Sequence, residues 1–248
     1  MASTWDTELG TEIFTATAAE VRAGGMQNCL APVLDLARDP SWGRTEETYG
    51  EDPYLVSHIG LAAIMGFQGN GELIDKTHVM ATAKHFAVHG QPEAGTNVAP
   101  GNYSERVVRE YFLKPFEVAV KEGHIRTVMP SYNQVDGIPS HSNKYFLDDI
   151  LRKDWGFPGA VVSDYFGITE LRTIHHIAGA NDAAAPCALD AGVDQELPCA
   201  GGYSTLGGPP QQGRVAQAAV GRAGTQGARA PLAAGQCAGA QGAGRGRA

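Results

Sequence analysis

The residue with the clearest capacity for chemistry is Asp164, a lone carboxylate that follows the short apolar run 160–162. Such a β-branched run is typical of a strand buried on both faces of a parallel sheet. In a (β/α) barrel the carboxyl ends of the strands form the catalytic face, so Asp164 is a candidate for chemistry. It could equally be a helix N-cap, because residues 165–171 could form a first helical turn, and the spacing alone does not decide.

Four further apolar runs also end in polar residues. Run 79–83 is a predicted strand followed by Lys84 and His85, and run 125–129 is one followed closely by Ser131, Tyr132 and Asn133. Run 29–34 is a predicted strand followed by Asp35, and run 191–193 is predicted to begin another that ends in Asp194. The series predicts one polar site above a parallel sheet. The two adjacent donors after run 79–83 suit sugar hydroxyls or an anion, whereas His85 by itself would more often serve in the core or as a cap.

Helical patterns fill the gaps between these runs. Residues 53–67 have apolar positions at helical spacing, with Asp52 as N-cap and Pro53 in the first turn. Ser104 caps a second helix that runs to Gly123, and a third begins after Ser142 or Asn143. Alternating strands and helices predict an α/β fold with βαβ units, either a barrel or an open doubly wound sheet. There is no GxGxxG or Walker A motif, which disfavours a nucleotide-binding version.

Composition and simple motifs disfavour several classes of protein. The 248 residues suit one domain of barrel size, and the net charge of −8 argues against a nucleic-acid partner. No apolar run is long enough to cross a membrane, and no secretory signal is visible, so the compartment stays unknown. The four cysteines form no CxxC motif. His85 and His89 have the spacing of a zinc helix, but Phe86 stands where the HExxH motif needs its glutamate, so no metal or cofactor is expected.

The last fifth of the chain differs from the rest. Residues 200–248 are rich in Gly, Ala, Gln and Pro and contain five arginines and no acid. Such a segment buries little apolar area, which predicts a disordered tail after a domain at 1–199. A basic interaction tail is an alternative, and a third interpretation is a frameshift or truncation, since GC-rich DNA yields this composition in the wrong frame.

Five motifs together resemble the N-terminal barrel of glycoside hydrolase family 3, of the β-glucosidase type. They occur in the family's order: 31–35 (APVLD), 42–44 (WGR) with 49–53 (YGEDP), 83–86 (AKHF), 128–133 (VMPSYN) and 162–164 (VSD). The resemblance implies an incomplete (β/α)8 TIM-like barrel and a retaining hydrolase of terminal β-glucosyl or β-xylosyl residues. It makes Asp164 the nucleophile and assigns substrate contacts to Arg44, Lys84, His85, Met129 and Tyr132.

The chain also departs from that family. The resemblance predicts a first barrel strand before residue 4 and an acid/base on a following α/β sandwich domain, and neither is in this sequence. We therefore expect an interior piece of a longer enzyme that is inactive or impaired alone, with Glu93 or Glu51 the first acids to test if it is active. Family members are often periplasmic or secreted. The alternatives are the family's β-N-acetylhexosaminidase branch, disfavoured because no Asp-x-His follows Lys84-His85, or an inactive fragment that binds sugar. The oligomeric state stays open.

Overall fold

The computed structural model describes residues 1–71, 73–179 and 181–207. Five parallel strands form a curled sheet in the order β1-β2-β3-β6-β7. A small antiparallel hairpin, β4 with β5, lies outside it. The strands are β1 Asn28–Cys29, β2 Met80–Phe86, β3 Thr127–Pro130, β4 Gln134–Val135, β5 Ile138–Pro139, β6 Ala160–Tyr165 and β7 Gln195–Leu197. The curled sheet confirms the predicted α/β fold with an incomplete barrel.

Two long helices in the first part of the chain pack against each other, and the second also packs against β2. Helix α1 (Thr7–Ala23) begins where the Asp6 carboxylate accepts the N–H of Leu9 at 2.9 Å. Helix α2 (Pro53–Gln68) begins at Asp52, as predicted, with the N–H of Leu55 donating to its carboxylate at 2.8 Å. The helices pack closely because Gly66 has no side chain; a Cβ there would lie 2.6 Å from that of Phe14.

The predicted helix after Ser104 consists of three pieces. Helix α3 (Glu105–Val107) is capped by the Ser104 hydroxyl, a π-helix follows at Val108–Phe112, and helix α4 (Lys114–Lys121) completes the segment. A second π-helix, Tyr145–Asp154, begins where the Asn143 side chain accepts the N–H of Phe146 at 3.1 Å. Helices α5 (Gly167–Thr173) and α6 (Asn181–Ala191) follow β6.

Phe86, the last residue of β2, anchors the core between the sheet and these helices. Its ring centroid lies 5.2 Å from that of Phe116, 6.1 Å from Phe146 and 5.9 Å from Trp155. All of Phe86 is buried. Edge-on aromatic packing of this kind adds to the area that the rings remove from water. The end of β2 is thus fixed by the core, which holds the neighbouring His85 in place.

Two strand predictions need correction. The run 29–34 stays beside β2, with the carbonyls of Ala31 and Pro32 accepting the N–H groups of Thr82 and Lys84. It forms a regular strand only at β1, with an isolated bridge between Val33 and Lys84, because Pro32 has no N–H to continue the ladder. Asp194 precedes β7 rather than ending a strand. Its carboxylate accepts the N–H of Val161, near the start of β6, and a bond from Arg152, both at 2.7 Å. Asp194 therefore lies at the opposite end of the sheet from Asp164.

The described chain continues beyond residue 199. Residues Tyr203–Gly207 form a 3-10 helix, the Tyr203 hydroxyl donates to the carbonyl of Val193 at 2.6 Å, and the N–H of Gly202 donates to the Glu196 carboxylate. The boundary at 199 and 200 stays a prediction. The predicted tail from residue 208 onward lies outside the described residues. None of the described helices is long and apolar enough to span a membrane.

Candidate active site

Asp164 lies near the end of β6 with 8% of its surface exposed. Its Oδ1 accepts two hydrogen bonds, from the Tyr132 hydroxyl at 2.9 Å and from the N–H of Tyr165 at 2.7 Å. The first residue of α5 is Gly167, and its N-cap position is held by Phe166. Asp164 therefore does not cap this helix, and of the two interpretations open in the sequence the strand-end carboxylate is the one that the geometry supports.

The other oxygen of Asp164, Oδ2, has a different hydrogen-bonding environment. Oδ2 is buried and receives no hydrogen bond from any described residue. The His85 Nε2 lies 3.6 Å away, beyond hydrogen-bond distance. The Asp164 backbone N–H donates to Nε2 of the buried His141 at 3.0 Å, which fixes the main chain beneath the carboxylate. Oδ1 is thus fixed by two hydrogen-bond donors, whereas the lone pairs of Oδ2 accept no hydrogen bond from the described residues.

His85 connects Asp164 to a second buried carboxylate. Its Nδ1 lies 2.7 Å from Oδ2 of Asp35, and its backbone N–H donates to the same oxygen at 3.2 Å. His85 and Asp35 are 1% and 2% exposed. Burial lowers the pKa of His85 to about 3 and raises that of Asp35 to about 6. At neutral pH the pair is therefore a neutral imidazole beside a carboxylate.

Arg44 brings a positive charge into the site. Its guanidinium donates two bonds to Glu47, at 2.7 and 2.9 Å, and its other contacts are Nε2 of His85 at 3.0 Å and Nε2 of His89 at 3.5 Å. The hydrogen bond to Glu47 raises the pKa of Arg44, and the charge of Asp164 adds to the effect.

Lys84 and Met129 pair across β2 and β3. Met129 is buried and Lys84 is half-buried. Burial raises the pKa of Asp35, and the nearby Lys84 ammonium offsets a small part of that rise. Tyr132 follows β3, and burial together with the charge of Asp164 raises the pKa of its hydroxyl, so it stays a donor. Five of the six predicted site residues thus lie in the last part of β2, β3 or β6 or shortly after it, and the sixth, Arg44, lies in the loop after Asp35.

The spacing of His85 and His89 does not reflect a helix. His85 belongs to β2 and His89 to the turn after it, and their ring centroids are 4.7 Å apart. Nδ1 of His89 lies 3.4 Å from the Asn133 amide oxygen. Among the residues that the structure describes, no cluster of three or more His, Cys, Asp or Glu side chains is arranged to hold a metal ion.

Sequence reasoning missed Glu170 in α5. Its Oε2 is buried and has no hydrogen-bond partner among the described residues. Burial, with a smaller contribution from the charge of Asp164, raises its pKa to about 7. The only sequence signal was its position six residues after Asp164, which a strand-to-helix turn could bring back. Glu93 and Glu51, named from sequence, are both exposed, and Glu93 accepts a bond from Asn102.

The chain is similar to known proteins over most of its length. The family model described as the glycosyl hydrolase family 3 N terminal domain matches residues 1–226. A β-xylosidase of Formosa agariphila is 48% identical over 198 residues, which are 79% of this chain and 27% of that protein. A lysosomal β-glucosidase of Dictyostelium discoideum is 35% identical over 201 residues, 79% of this chain and 24% of that protein.

Two solved β-glucosidase structures have a similar fold over most of this chain. A β-glucosidase from Erythrobacter marinus superposes with a TM-score of 0.86 at 37% identity, covering 89% of this chain and 29% of that one. A β-glucosidase from Listeria innocua, in complex with glucose, superposes with a TM-score of 0.85 at 32% identity, covering 91% and 31%. The chain thus spans about a third or less of these proteins. Its fold and sequence place it in glycosyl hydrolase family 3, of which it carries the N-terminal domain.

Proposed function

We propose that this chain carries the nucleophile and sugar-binding half of a retaining β-glycosidase site for terminal, non-reducing β-glucosyl or β-xylosyl residues. The observation that carries the proposal is the asymmetry of Asp164, whose Oδ1 accepts two hydrogen bonds while its buried Oδ2 accepts none from the described residues. An ionised carboxylate with one oxygen anchored and one free can attack an anomeric carbon. The names of the relatives, β-xylosidase and β-glucosidase, support the substrate class.

In the first step, Asp164 Oδ2 forms a bond to the anomeric carbon, and the leaving oxygen departs with the electron pair of the broken bond. A water molecule then attacks the same carbon and gives up a proton to a base or to solvent, and the carboxylate leaves with its electron pair, with net retention of configuration. Lys84, His85 and Arg44 would bind ring hydroxyls, and Met129 would line the subsite. Hydrogen bonds to those hydroxyls strengthen as the oxocarbenium ion develops, so these contacts would serve the transition state.

The acid that protonates the leaving oxygen is, in this proposal, not supplied by the chain. The 248-residue chain should therefore react only with sugars whose leaving group needs no proton, such as activated aryl glycosides, and should not cleave cellobiose. Cleavage of cellobiose would show that an acid/base lies within the chain. Glu170→Gln would then be the first variant to measure, because this carboxyl has a pKa near neutral and is close enough to Asp164 to feel its charge.

The nucleophile is tested by trapping. A dinitrophenyl 2-deoxy-2-fluoro-β-glucoside should form a stable ester that peptide mass spectrometry finds on Asp164. Asp164→Asn should abolish labelling, whereas Asp136→Asn, an exposed aspartate in the turn between β4 and β5, should leave it unchanged. A label on another carboxylate would refute the assignment. Sugar binding without any label would instead favour a non-catalytic binding role.

A further inference from the structure

Asp35 is a buried carboxylate that the proposed reaction does not use. Its Oδ2 lies 2.7 Å from Nδ1 of His85 and accepts the His85 backbone N–H at 3.2 Å. An ionised carboxylate can only accept hydrogen bonds. The hydrogen of the neutral imidazole must therefore sit on Nδ1, which leaves a lone pair on Nε2.

Arg44 requires the same tautomer. Its Nη2 lies 3.0 Å from Nε2 of His85, and a guanidinium is always a donor. A hydrogen on Nε2 would oppose the Arg44 N–H at this distance. Two neighbours on opposite sides of the ring, one that only accepts and one that only donates, thus select one tautomer of His85.

The tautomer of His85 determines whether Asp164 can receive a hydrogen bond from it. The same Nε2 is the imidazole nitrogen that faces Oδ2 of Asp164, at 3.6 Å. With a hydrogen on Nε2, a small rotation of the ring would give that oxygen a donor. Without one, Oδ2 has no donor among the described residues, while Oδ1 is fully held by Tyr132 and Tyr165.

We propose that Asp35 is a positioning residue that keeps His85 Nε2 unprotonated, so that Asp164 Oδ2 stays free of hydrogen bonds and is the attacking oxygen. This inference rests on the proposed role of Asp164 as nucleophile. A hydrogen bond to the attacking lone pair would have to break before the new bond to carbon forms. For a charged acceptor such a bond slows the reaction by about ten- to a hundredfold.

The tautomer is measured directly by ¹⁵N NMR of the full chain at neutral pH, with the His85 signals assigned by loss in His85→Gln. We expect a protonated Nδ1 and an unprotonated Nε2. Asp35→Ala removes the acceptor and should shift the hydrogen toward Nε2. Asp35→Asn should preserve the wild-type tautomer, because the amide oxygen can accept both His85 N–H groups in place of Oδ2.

The functional readout is the rate at which the 2-fluoro-glucoside labels Asp164. Asp35→Ala should slow labelling about ten- to a hundredfold, and Asp35→Asn should recover most of that loss. The exposed Asp75, whose carboxylate lies 2.8 Å from Nδ1 of His78, offers a matched control pair. Asp75→Ala should change neither the His85 signals nor the labelling rate.

A wild-type His85 with its hydrogen on Nε2 would overturn the proposal, and so would an Asp35→Ala variant that labels at the wild-type rate. If Asp35→Ala does not fold, the wild-type tautomer and the Asp35→Asn rate still decide, since slow labelling with an unchanged tautomer would contradict it. Absence of any label on wild-type Asp164 would refute the proposed function instead. The NMR measurement does not depend on turnover, so the two failures are distinguishable.

Discussion

Replacing Gly167 by alanine tests whether the turn after Asp164 is packed against the site. Gly167 is the first residue of α5, three positions after Asp164. A Cβ at this position would lie well inside van der Waals contact with Nε2 and Cε1 of the His141 imidazole. That same Nε2 accepts the Asp164 backbone N–H at 3.0 Å. The substitution should therefore displace His141 and break this hydrogen bond.

The size of the effect follows from three contributions to the free energy of unfolding. Overpacking of a buried ring costs about 1–3 kcal/mol. Loss of a neutral hydrogen bond adds about 0.5–1.5 kcal/mol. The lower entropy of alanine in the unfolded chain offsets about 0.4–1 kcal/mol. The net expectation for Gly167→Ala is a loss of about 2 kcal/mol.

Urea unfolding followed by tryptophan fluorescence measures this loss. Gly179→Ala is the matched control, because no described atom lies within 4 Å of the added Cβ, and its stability should match wild type or slightly exceed it. In a His141→Ala background the imidazole is gone, so Gly167→Ala should cost almost nothing. An equal cost in both backgrounds would show that His141 is not the group that Gly167 accommodates, and the reasoning would fail.

Three further outcomes are expected. Tyr132→Phe removes one of the two donors to Asp164 Oδ1 and should slow 2-fluoro-glucoside labelling about tenfold or more; an unchanged rate would show that the hydroxyl is dispensable. Lys84→Ala should lower kcat/KM for an activated aryl glucoside by more than about tenfold, or 1.4 kcal/mol, and a smaller loss would assign Lys84 a structural role. Burial lowers the pKa of His89 to about 3, so its contribution to stability is complete above pH 6.5 and is lost as the pH falls toward 3. Urea midpoints at pH 7 and pH 4.5 should therefore differ less in His89→Gln than in wild type.

Local patterns in the sequence predicted most of the elements that carry the site. The apolar runs around residues 79–83, 125–129 and 160–162 correspond to β2, β3 and β6, and Asp52 and Ser104 cap helices as expected. These signals are local: a cap bonds within three residues, and a doubly buried strand needs an unbroken apolar run. The strand predicted from run 191–193 was misplaced, because these apolar residues precede β7. The neighbouring Asp194 accepts a hydrogen bond from Arg152 of the π-helix Tyr145–Asp154.

The residue types at the strand ends were thus set by the sequence, but their pairing was decided by tertiary structure. No spacing could show that Asp35 and His85, fifty positions apart, share a hydrogen bond, or that Tyr132 and Tyr165 anchor one oxygen of Asp164 and leave the other free. Parallel strands bring distant residues to one edge of the sheet, and burial there then sets the pKa of each group. Composition and periodicity fix which groups reach that edge, whereas packing decides which of them keep a proton and which lone pair remains available.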